Sequence, residues 1–394
     1  MNSPLDLNRV LQVLKDVLSN KGASGLHEPQ FNGNEWEYVK ECLDTGWVSS
    51  VGRFVELFEA KLEEYTGVKY AVATVNGTAA LHICLKLAGV EPGDEVFVPA
   101  LTFVATANAV TYCGAVPHFV DIDINTLGID SHKLADYLKE NARVGPQGCF
   151  NMITGRRIKA VIPMHTFGHP VDIDPLMEIC EKFRLEMIED AAEALGSLYK
   201  GRHAGNFGIA SALSFNGNKI ITTGGGGAIL TNQKPLALLA KHLTTTAKKP
   251  HQWFFVHDMV GYNYRLPNIN AALGCAQIEQ LPDFLNTKRM LASKYLTSFK
   301  CVDGITVFEE PPYARSNYWL NTLILDEGHE NQLDKLIEMS NEMGISTRPV
   351  WRLLSRLQMF SSCPRMNLVT AESLEGRIIN LPSSATLGEG YEKT

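Results

Sequence analysis

Residues 70–121, YAVATVNGTAALHICLKLAGVEPGDEVFVPALTFVATANAVTYCGAVPHFVD, determine the fold class. Short runs rich in β-branched and aromatic residues predict strands at 70–74, 95–99 and 118–121. The segments between them predict helices at 78–88 and 104–113. Strands that alternate with helices are typical of a mainly parallel sheet with helical crossovers. The stretch therefore predicts an α/β protein.

The same alternation continues to about residue 232. Further strands are predicted at 159–164, 186–190, 212–215 and 228–231, with a helix at 175–183. In open α/β sheets, ligands bind in the crevice beyond the carboxyl ends of the strands. Residues that directly follow a predicted strand are therefore the first candidates for a functional site.

The pattern changes after about residue 285. A long helical stretch is followed by a predicted strand at 318–325 and a predicted helix at 330–343, which is typical of a smaller α+β domain. We divide the chain into an N-terminal extension with an amphipathic helix (1–30), a large domain (31–285) and a small C-terminal domain (286–394). A helix near 269–281 could bridge the two domains.

Composition excludes several classes of protein. The 394 residues are 45% hydrophobic and 20% charged, with a net charge of -7 and no block of Lys and Arg, so we expect no nucleic-acid partner. Charged residues interrupt the apolar spacing of residues 1–21, which favours an amphipathic helix over a signal peptide. No apolar stretch reaches the roughly 20 residues of a membrane helix. We therefore predict a cytoplasmic protein. Eight scattered cysteines have no zinc-site spacing, so we predict no metal site.

Two predicted strands end in residues that carry chemistry. The strand at 186–190 runs into Asp190 and Glu193, whose ordinary alternative is a solvated loop or a helix N-cap. The strand at 212–215 leads through a short turn to Lys219, which Ile220 and Ile221 follow. A lone lysine after a strand is usually a surface charge, but the apolar pair should hold this backbone near the core. An amine kept partly out of water suits Schiff-base chemistry.

A carboxylate near a lysine suits pyridoxal phosphate, because the carboxylate keeps the pyridine nitrogen of the cofactor protonated. Asp190 and Lys219 can fill these two roles. The phosphate requires an anion site, which the segment Asn76-Gly77-Thr78-Ala79 offers as a strand, a glycine turn and a helix N-terminus. Its alternative is a plain N-cap by Thr78. Neither the phosphate-binding loop of NTPases nor the dinucleotide fingerprint is present.

Three segments together resemble one family: residues 189–196 (EDAAEALG), 214–223 (SFNGNKIITT) and 261–266 (GYNYRL). They are similar to the DegT/DnrJ/EryC1/StrS group of pyridoxal-phosphate-dependent sugar aminotransferases, and the resemblance extends from about residue 32 to about 387. It implies aminotransferase fold type I, with a large, mainly parallel sheet domain and a smaller α+β C-terminal domain.

The resemblance also implies roles for particular residues. Lys219 would form the internal aldimine and then carry the proton between cofactor and substrate, and Asp190 would pair with the pyridine nitrogen. Phe103 would stack on the ring, although a phenylalanine after a strand ordinarily packs in the core. The remaining cofactor contacts implied are Thr78, Ala79, Glu193, Ser214 and, from the neighbouring subunit, Asn263. A homodimer with shared active sites follows from that last contact.

Other residues match family segments that face the substrate. These are Ser50 and Gly52 in GWVSSVG, and Arg348 and Trp351 in TRPVW. Arg348 could bind a diphosphate through two hydrogen bonds, or form an exposed salt bridge. His165 follows a predicted strand and could line the cleft, or serve as a hydrogen-bonded structural histidine.

The resemblance favours amination, because relatives that remove a sugar hydroxyl have histidine in place of Lys219. Glu193 and the segment SFNGNK resemble the branch that acts on UDP-4-keto-6-deoxy-N-acetylhexosamines, as in bacillosamine and legionaminic-type sugars. We therefore expect transfer of an amino group, with L-glutamate as the family's usual donor, to the C4 keto group of such a sugar. The alternatives are a C3 aminotransferase acting on a dTDP- or GDP-linked keto sugar, and a non-catalytic regulator that binds pyridoxal phosphate.

Overall fold

The structure is a computed structural model that describes residues 4–18 and 24–388. Parts of the predicted N-terminal extension (1–3 and 19–23) and the last residues of the predicted C-terminal domain (389–394) lie outside this range. The helices are α1 (Leu7–Val17), α2 (Glu35–Thr45), α3 (Arg53–Thr66), α4 (Gly77–Leu87), α5 (Val104–Tyr112), α6 (Ser131–Asn141), α7 (Ile173–Phe183), α8 (Lys234–Thr244), α9 (Asn268–Phe299), α10 (Leu333–Glu342) and α11 (Val369–Glu375). Within the described ranges, no helix is both long enough and apolar enough to cross a membrane.

In the part of the chain that the structure describes, the strands form three sheets. They are β1 (Tyr70–Thr74), β2 (Glu95–Pro99), β3 (Val116–Val120), β4 (Ala142–Gly145), β5 (Gly148–Asn151), β6 (Arg157–Val161), β7 (Glu186–Asp190), β8 (Leu198–Tyr199), β9 (Arg202–His203), β10 (Ala210–Ser214), β11 (Gly227–Thr231), β12 (Ile305–Val307), β13 (Ala314–Arg315), β14 (Asn321–Leu325), β15 (Arg348–Pro349) and β16 (Ile378–Leu381). The predicted strands at 70–74, 95–99 and 186–190 agree with β1, β2 and β7. The other predicted strands of the large domain differ from the structure by a few residues at one or both ends.

The large sheet has the main strand order β1-β11-β10-β7-β6-β2-β3. Neighbouring strands from β10 to β3 are parallel, whereas β11 is antiparallel to both β10 and β1. The predicted α/β class with a mainly parallel central sheet is therefore confirmed. Because the parallel strands point the same way, the residues after β2, β7 and β10 meet at one edge of the sheet.

The small domain is built on the antiparallel sheet β12-β14-β16-β15. Helix α9 runs without interruption from Asn268 to Phe299 and crosses the predicted boundary at residues 285/286. Its first half packs against α2 and α3 of the large domain, and its second half buries Leu291 and Tyr295 in the core of the small domain. One continuous helix therefore joins the two domains, as the bridging alternative allowed.

The N-terminal extension is part of the small domain. Helix α1 is amphipathic as predicted, and its apolar side, including Val10 and Leu14, is buried in the same core as Leu291 and Tyr295 of α9. Asp6 caps the helix by accepting a hydrogen bond from the N–H of Arg9. The predicted division into an extension and a C-terminal domain thus separates residues that share one core.

The buried position of α1 predicts the cost of truncating Leu14, which is 1% exposed. Leu14→Ala should lower the free energy of unfolding by about 2–5 kcal/mol, because it removes apolar contacts and leaves a cavity. Urea and thermal unfolding of wild type and variant measure the difference. Leu238→Ala, on α8 and 63% exposed, is the matched control and should change the value by less than about 0.5 kcal/mol. Equal effects of the two substitutions would contradict the placement of α1 in the core.

Candidate active site

A cavity of about 250 Å³ opens at the carboxyl ends of β7 and β10, beside the N-terminus of α4. Its lining residues are Asn76, Gly77, Thr78, Leu81, Phe103, Ala105, Met164, Asp190, Ala192, Glu193, Ser214, Asn216, Asn218, Lys219, Gly225, Gly226, Trp319, Arg348 and Trp351. Most of the candidates predicted from the sequence are among them. Residues far apart in the chain thus meet in a single concave site of the kind that binds cofactors.

Lys219 projects its amine into this cavity. Nζ lies 3.2 Å from Oε1 of Glu193 and 3.9 Å from the centroid of the Trp319 ring. The side chain is only 12% exposed. The next two residues, Ile220 and Ile221, are buried, as the sequence predicted. The amine is therefore kept largely out of water yet remains accessible from the cavity.

Asp190 ends β7 and is almost fully buried beside the cavity. Its Oδ2 accepts a hydrogen bond of 2.7 Å from the hydroxyl of Thr106, and its Oδ1 accepts one of 3.2 Å from the N–H of Ala192. Burial raises the pKa of Asp190, and these hydrogen bonds oppose the rise only in part. A buried carboxylate with a raised pKa favours a nearby cation, which the protonated pyridine nitrogen of pyridoxal phosphate would supply.

An anion site lies at the N-terminus of α4. The side chain of Asn76 caps the helix by accepting a hydrogen bond of 2.8 Å from the N–H of Ala79, so the cap is Asn76 and not Thr78. No acceptor among the described residues bonds the N–H groups of Gly77 and Thr78, which point from the first turn of the helix. With the neighbouring hydroxyl of Ser214, they form a cradle that fits a phosphate.

This arrangement corrects one predicted contact. The N–H of Ala79 is already used by Asn76, and Ala79 is not among the lining residues. We therefore assign the phosphate cradle to Gly77, Thr78 and Ser214 and leave Ala79 out. The residues at both ends of the cavity fit pyridoxal phosphate: a carboxylate for the ring nitrogen, N–H and hydroxyl groups for the phosphate, and the amine of Lys219 for the aldehyde.

Glu193 is a buried residue of the same cavity lining. Its Oε2 accepts a hydrogen bond of 2.9 Å from the N–H of Phe167, and its Oε1 pairs with Lys219. Burial raises the pKa of Glu193, and the positive charge of Lys219 opposes this. Burial also lowers the pKa of Arg348, while Glu193 acts in the opposite direction. Glu193 thus interacts electrostatically with both Lys219 and Arg348.

Aromatic side chains form another part of the wall. Phe103 is 49% exposed, which leaves its ring free to cover a bound group. Trp351 lies 6.3 Å from Phe103 and 5.0 Å from Phe167, measured between ring centroids. The stacking of Phe103 on a cofactor ring stays a prediction.

The family described as DegT/DnrJ/EryC1/StrS aminotransferases matches residues 29–392. The chain belongs to this family. Over 364 residues it is 39% identical to the GDP-perosamine synthase of Caulobacter vibrioides, and the alignment covers 92% of this chain and 93% of that protein. It is 37% identical over 365 residues to the GDP-perosamine synthase of Escherichia coli O157:H7, with the same two shares covered.

The chain is also similar to an aminotransferase of known structure. PseC of Helicobacter pylori, an aminotransferase involved in the biosynthesis of pseudoaminic acid, matches with a TM-score of 0.83 at 26% identity, over 92% of this chain and 94% of that one. The resemblance inferred from three sequence segments is confirmed. This member of the DegT/DnrJ/EryC1/StrS family is a pyridoxal-phosphate-dependent aminotransferase.

His165 does not reach the cavity of this aminotransferase. Its side chain is fully buried, Nε2 lies 3.1 Å from Oε2 of Glu189, and Nδ1 accepts a hydrogen bond of 3.2 Å from the N–H of Val171. Both ring nitrogens are therefore used inside the fold. The predicted substrate contact is corrected to the structural role that was its alternative.

Ser50 and Gly52 are also absent from the cavity lining of the chain. Asn268, the first residue of α9, fixes their loop by donating to the carbonyl of Trp47 at 2.6 Å and accepting from the N–H of Phe54 at 3.0 Å. Gly52 instead lines a separate surface cavity beside Asn268. The predicted substrate contacts are thus not made within one chain.

Asn263 is exposed and also lies outside the cavity lining of its own chain. It pairs with Thr245 through an isolated antiparallel bridge. Its predicted reach into a neighbouring subunit's site stays a prediction. The segment between Thr245 and Asn263 includes the exposed side chains of Trp253, Phe254 and Phe255.

Several roles at the site were missed in the sequence, among them the cap formed by Asn76, the contact of Thr106 with Asp190 and the position of Trp319. Asn76 had a recognisable signal, since asparagine before a predicted helix is a favoured N-cap. Trp319 had none, because it lay inside the predicted strand at 318–325, whereas β14 begins only at Asn321. The segment before β14 is turned towards the cavity by Tyr318, whose φ of 46° is in the left-handed region.

The phosphate cradle predicts the effect of a methyl group at Gly77, because an added Cβ would lie 2.9 Å from Cβ of Ser214. Gly77→Ala should weaken binding of pyridoxal phosphate at least about tenfold, equivalent to about 1.4 kcal/mol. Absorbance titration of the cofactor-free protein measures this. Gly217→Ala is the control, since a Cβ there would meet no atom within 4 Å. Wild-type affinity in Gly77→Ala would argue against a cradle at α4.

Proposed function

We propose that this aminotransferase transfers an amino group to the C4 keto group of a nucleotide-linked 4-keto-6-deoxy sugar. The observation that carries the proposal is one cavity whose lining brings together Lys219, the carboxylate of Asp190 and the helix N-terminus at Gly77. Support for a sugar comes from the family and from relatives named GDP-perosamine synthase. L-Glutamate, the donor implied by the resemblance, is part of the same proposal.

The reaction depends on a few residues of the chain. Pyridoxal phosphate supplies an aldehyde that condenses with amines and a ring that takes up electrons when a C–H bond breaks. Lys219 binds the aldehyde through Nζ and, once released, accepts the proton from one carbon and returns it to another. Asp190 keeps the ring nitrogen protonated, and Thr106 orients its carboxylate.

Arg348 and Trp351 would recognise the substrates. Arg348 is half-buried at the cavity and has no carboxylate within ion-pair distance among the described residues, so its guanidinium is available to an anion. A diphosphate suits its two parallel N–H groups. The aromatic rings of Phe103 and Trp351 line the same cavity, with 6.3 Å between their centroids.

The nucleotide has two candidates. Glu193 and the segment SFNGNK favour a UDP-linked N-acetylhexosamine by their resemblance to that branch, whereas the names of the most similar relatives favour a GDP-linked sugar. We propose the UDP-linked sugar as substrate and the GDP-linked sugar as the second candidate. A homodimer in which Asn263 completes the partner's phosphate site belongs to the same proposal.

Incubation with a panel of keto sugars tests the function. Wild-type protein with glutamate and pyridoxal phosphate should release 2-oxoglutarate and form a 4-amino sugar, identified by mass spectrometry and NMR, from the UDP-linked 4-keto-6-deoxy-N-acetylglucosamine. Lys219→Ala should lose multiple turnover because no amine remains to carry the proton. Lys200→Ala, which changes an exposed lysine, is the control. Turnover by Lys219→Ala, or no amino sugar from any member of the panel, would refute the proposal.

Arg348→Gln tests whether Arg348 binds the nucleotide sugar or the amino-acid donor. It should raise KM for the nucleotide sugar about 10–100-fold, because charge-assisted hydrogen bonds contribute about 1.5–3 kcal/mol. The half-reaction with glutamate, followed by the change in cofactor absorbance, should keep its concentration dependence. If the glutamate half-reaction weakens instead, Arg348 binds the carboxylate of the donor and not the diphosphate.

A further inference from the structure

The amine of Lys219 has a neighbour that the proposed reaction does not yet use, the indole of Trp319. Nζ of Lys219 lies 3.9 Å from the centroid of the ring and 3.2 Å from Oε1 of Glu193. A cation above an indole is attracted by the electron-rich face of the ring. An ammonium at Lys219 would thus have both an aromatic face and a carboxylate within contact distance.

Trp319 is fixed in place relative to both Lys219 and Glu193. Its Nε1 donates a hydrogen bond of 2.7 Å to the carbonyl of Asn218, the residue before Lys219. Its backbone N–H donates at 2.8 Å to Oδ1 of Asn317, whose Nδ2 donates at 2.8 Å to the carbonyl of Glu193. The indole is therefore aligned with the backbone of each residue that contacts the amine.

A third anchor comes from Lys288 on α9. Its Nζ donates a hydrogen bond of 3.1 Å to the carbonyl of Trp319 and another to the carbonyl of Ser383. The side chain is fully buried, and burial lowers the pKa of Lys288 well below its ordinary value. Burying an amine against carbonyls alone costs free energy compared with an apolar residue. The hydrogen bond from Lys288 to the carbonyl of Trp319 indicates that this buried amine holds Trp319 in position.

We propose that Trp319 and Glu193 bind the protonated amine of Lys219 during the stage in which this amine is not attached to the cofactor, and that Lys288 positions Trp319. The inference rests on the proposed function, because it requires Lys219 to carry the proton. When Nζ takes the proton from the substrate carbon, a cation forms in a cavity that excludes most water. The indole face and the carboxylate replace the lost hydration until Nζ returns the proton to the acceptor carbon.

We call the contact of Trp319 and Glu193 with the protonated amine of Lys219 the clamp. Binding of pyridoxal phosphate to the cofactor-free protein tests the clamp without turnover. An ammonium cannot attack the aldehyde, so the rate at which visible absorbance appears rises as Lys219 loses its proton. The same experiment with Lys219→Ala in each background subtracts capture by other lysines. Trp319→Leu should move the pH of half-maximal rate downwards by about half a unit or more, because the cation loses its aromatic face. Trp319→Phe keeps a weaker face and should move it less.

Lys288→Met should shift the profile in the same direction, since it frees the carbonyl of Trp319. Added to Trp319→Leu, it should cause no further shift. Lys294→Met is the matched control. Lys294 lies on the same helix as Lys288 but donates to the carbonyl of Val17 on α1, so its substitution should leave the profile unchanged. Thermal unfolding of each variant establishes that it is folded.

The outcomes separate the clamp from the function on which it rests. A wild-type pH profile in both Trp319→Leu and Trp319→Phe would overturn the clamp and leave the proposed function intact. A Lys288→Met shift that persists in the Trp319→Leu background would overturn the positioning role of Lys288. If wild-type protein and Lys219→Ala capture the cofactor equally, Lys219 is not the attachment site, and the proposed function fails with the clamp.

Discussion

The ion pair between Lys219 and Glu193 is the interaction on which the site depends. Both side chains are largely withdrawn from water, and a buried charge is strongly unfavourable when its partner is removed. Glu193 follows β7 and Lys219 follows β10, so the pair exists only because these strands are parallel neighbours. The segment before β14 then closes over the pair with Asn317 and Trp319. The site is therefore assembled where the two domains meet.

The adjacent carboxylates of Glu189 and Asp190 differ in their hydrogen-bond partners and in the direction of their pKa shifts. Glu189 accepts hydrogen bonds of 2.7 Å from the N–H groups of Gly205, Phe207 and Gly208, and it also contacts His165. Burial alone would raise the pKa of Glu189, but these partners lower it below its ordinary value. The pKa of Asp190 is raised, because fewer hydrogen bonds oppose burial. Glu189 is thus satisfied by the fold, and Asp190 is left to pair with a ligand.

Much of the site could be predicted from residues close in sequence. Asp190, Ser214 and Thr78 lie at the ends of strands or the start of a helix, and strand ends are recognisable from hydrophobic runs followed by glycine or polar residues. The same argument gave the wrong role for His165, which also follows a strand. Sequence pattern shows that a residue lies near the edge of a sheet, but not whether neighbouring groups already use its hydrogen bonds.

The sequence by itself determined the class of fold and most strands of the central sheet, and it indicated Lys219 as the candidate attachment site of the cofactor, because hydrophobic periodicity and short motifs are local properties of the chain. Only the tertiary structure decided that α1 belongs to the core of the small domain, that α9 joins both domains, that Ala79 is capped by Asn76, and that Trp319 lies over Lys219. These features depend on contacts between residues up to about three hundred positions apart, such as Leu14 with Leu291 and Lys219 with Trp319. Burial and packing geometry select such contacts, and no local pattern in the chain records them.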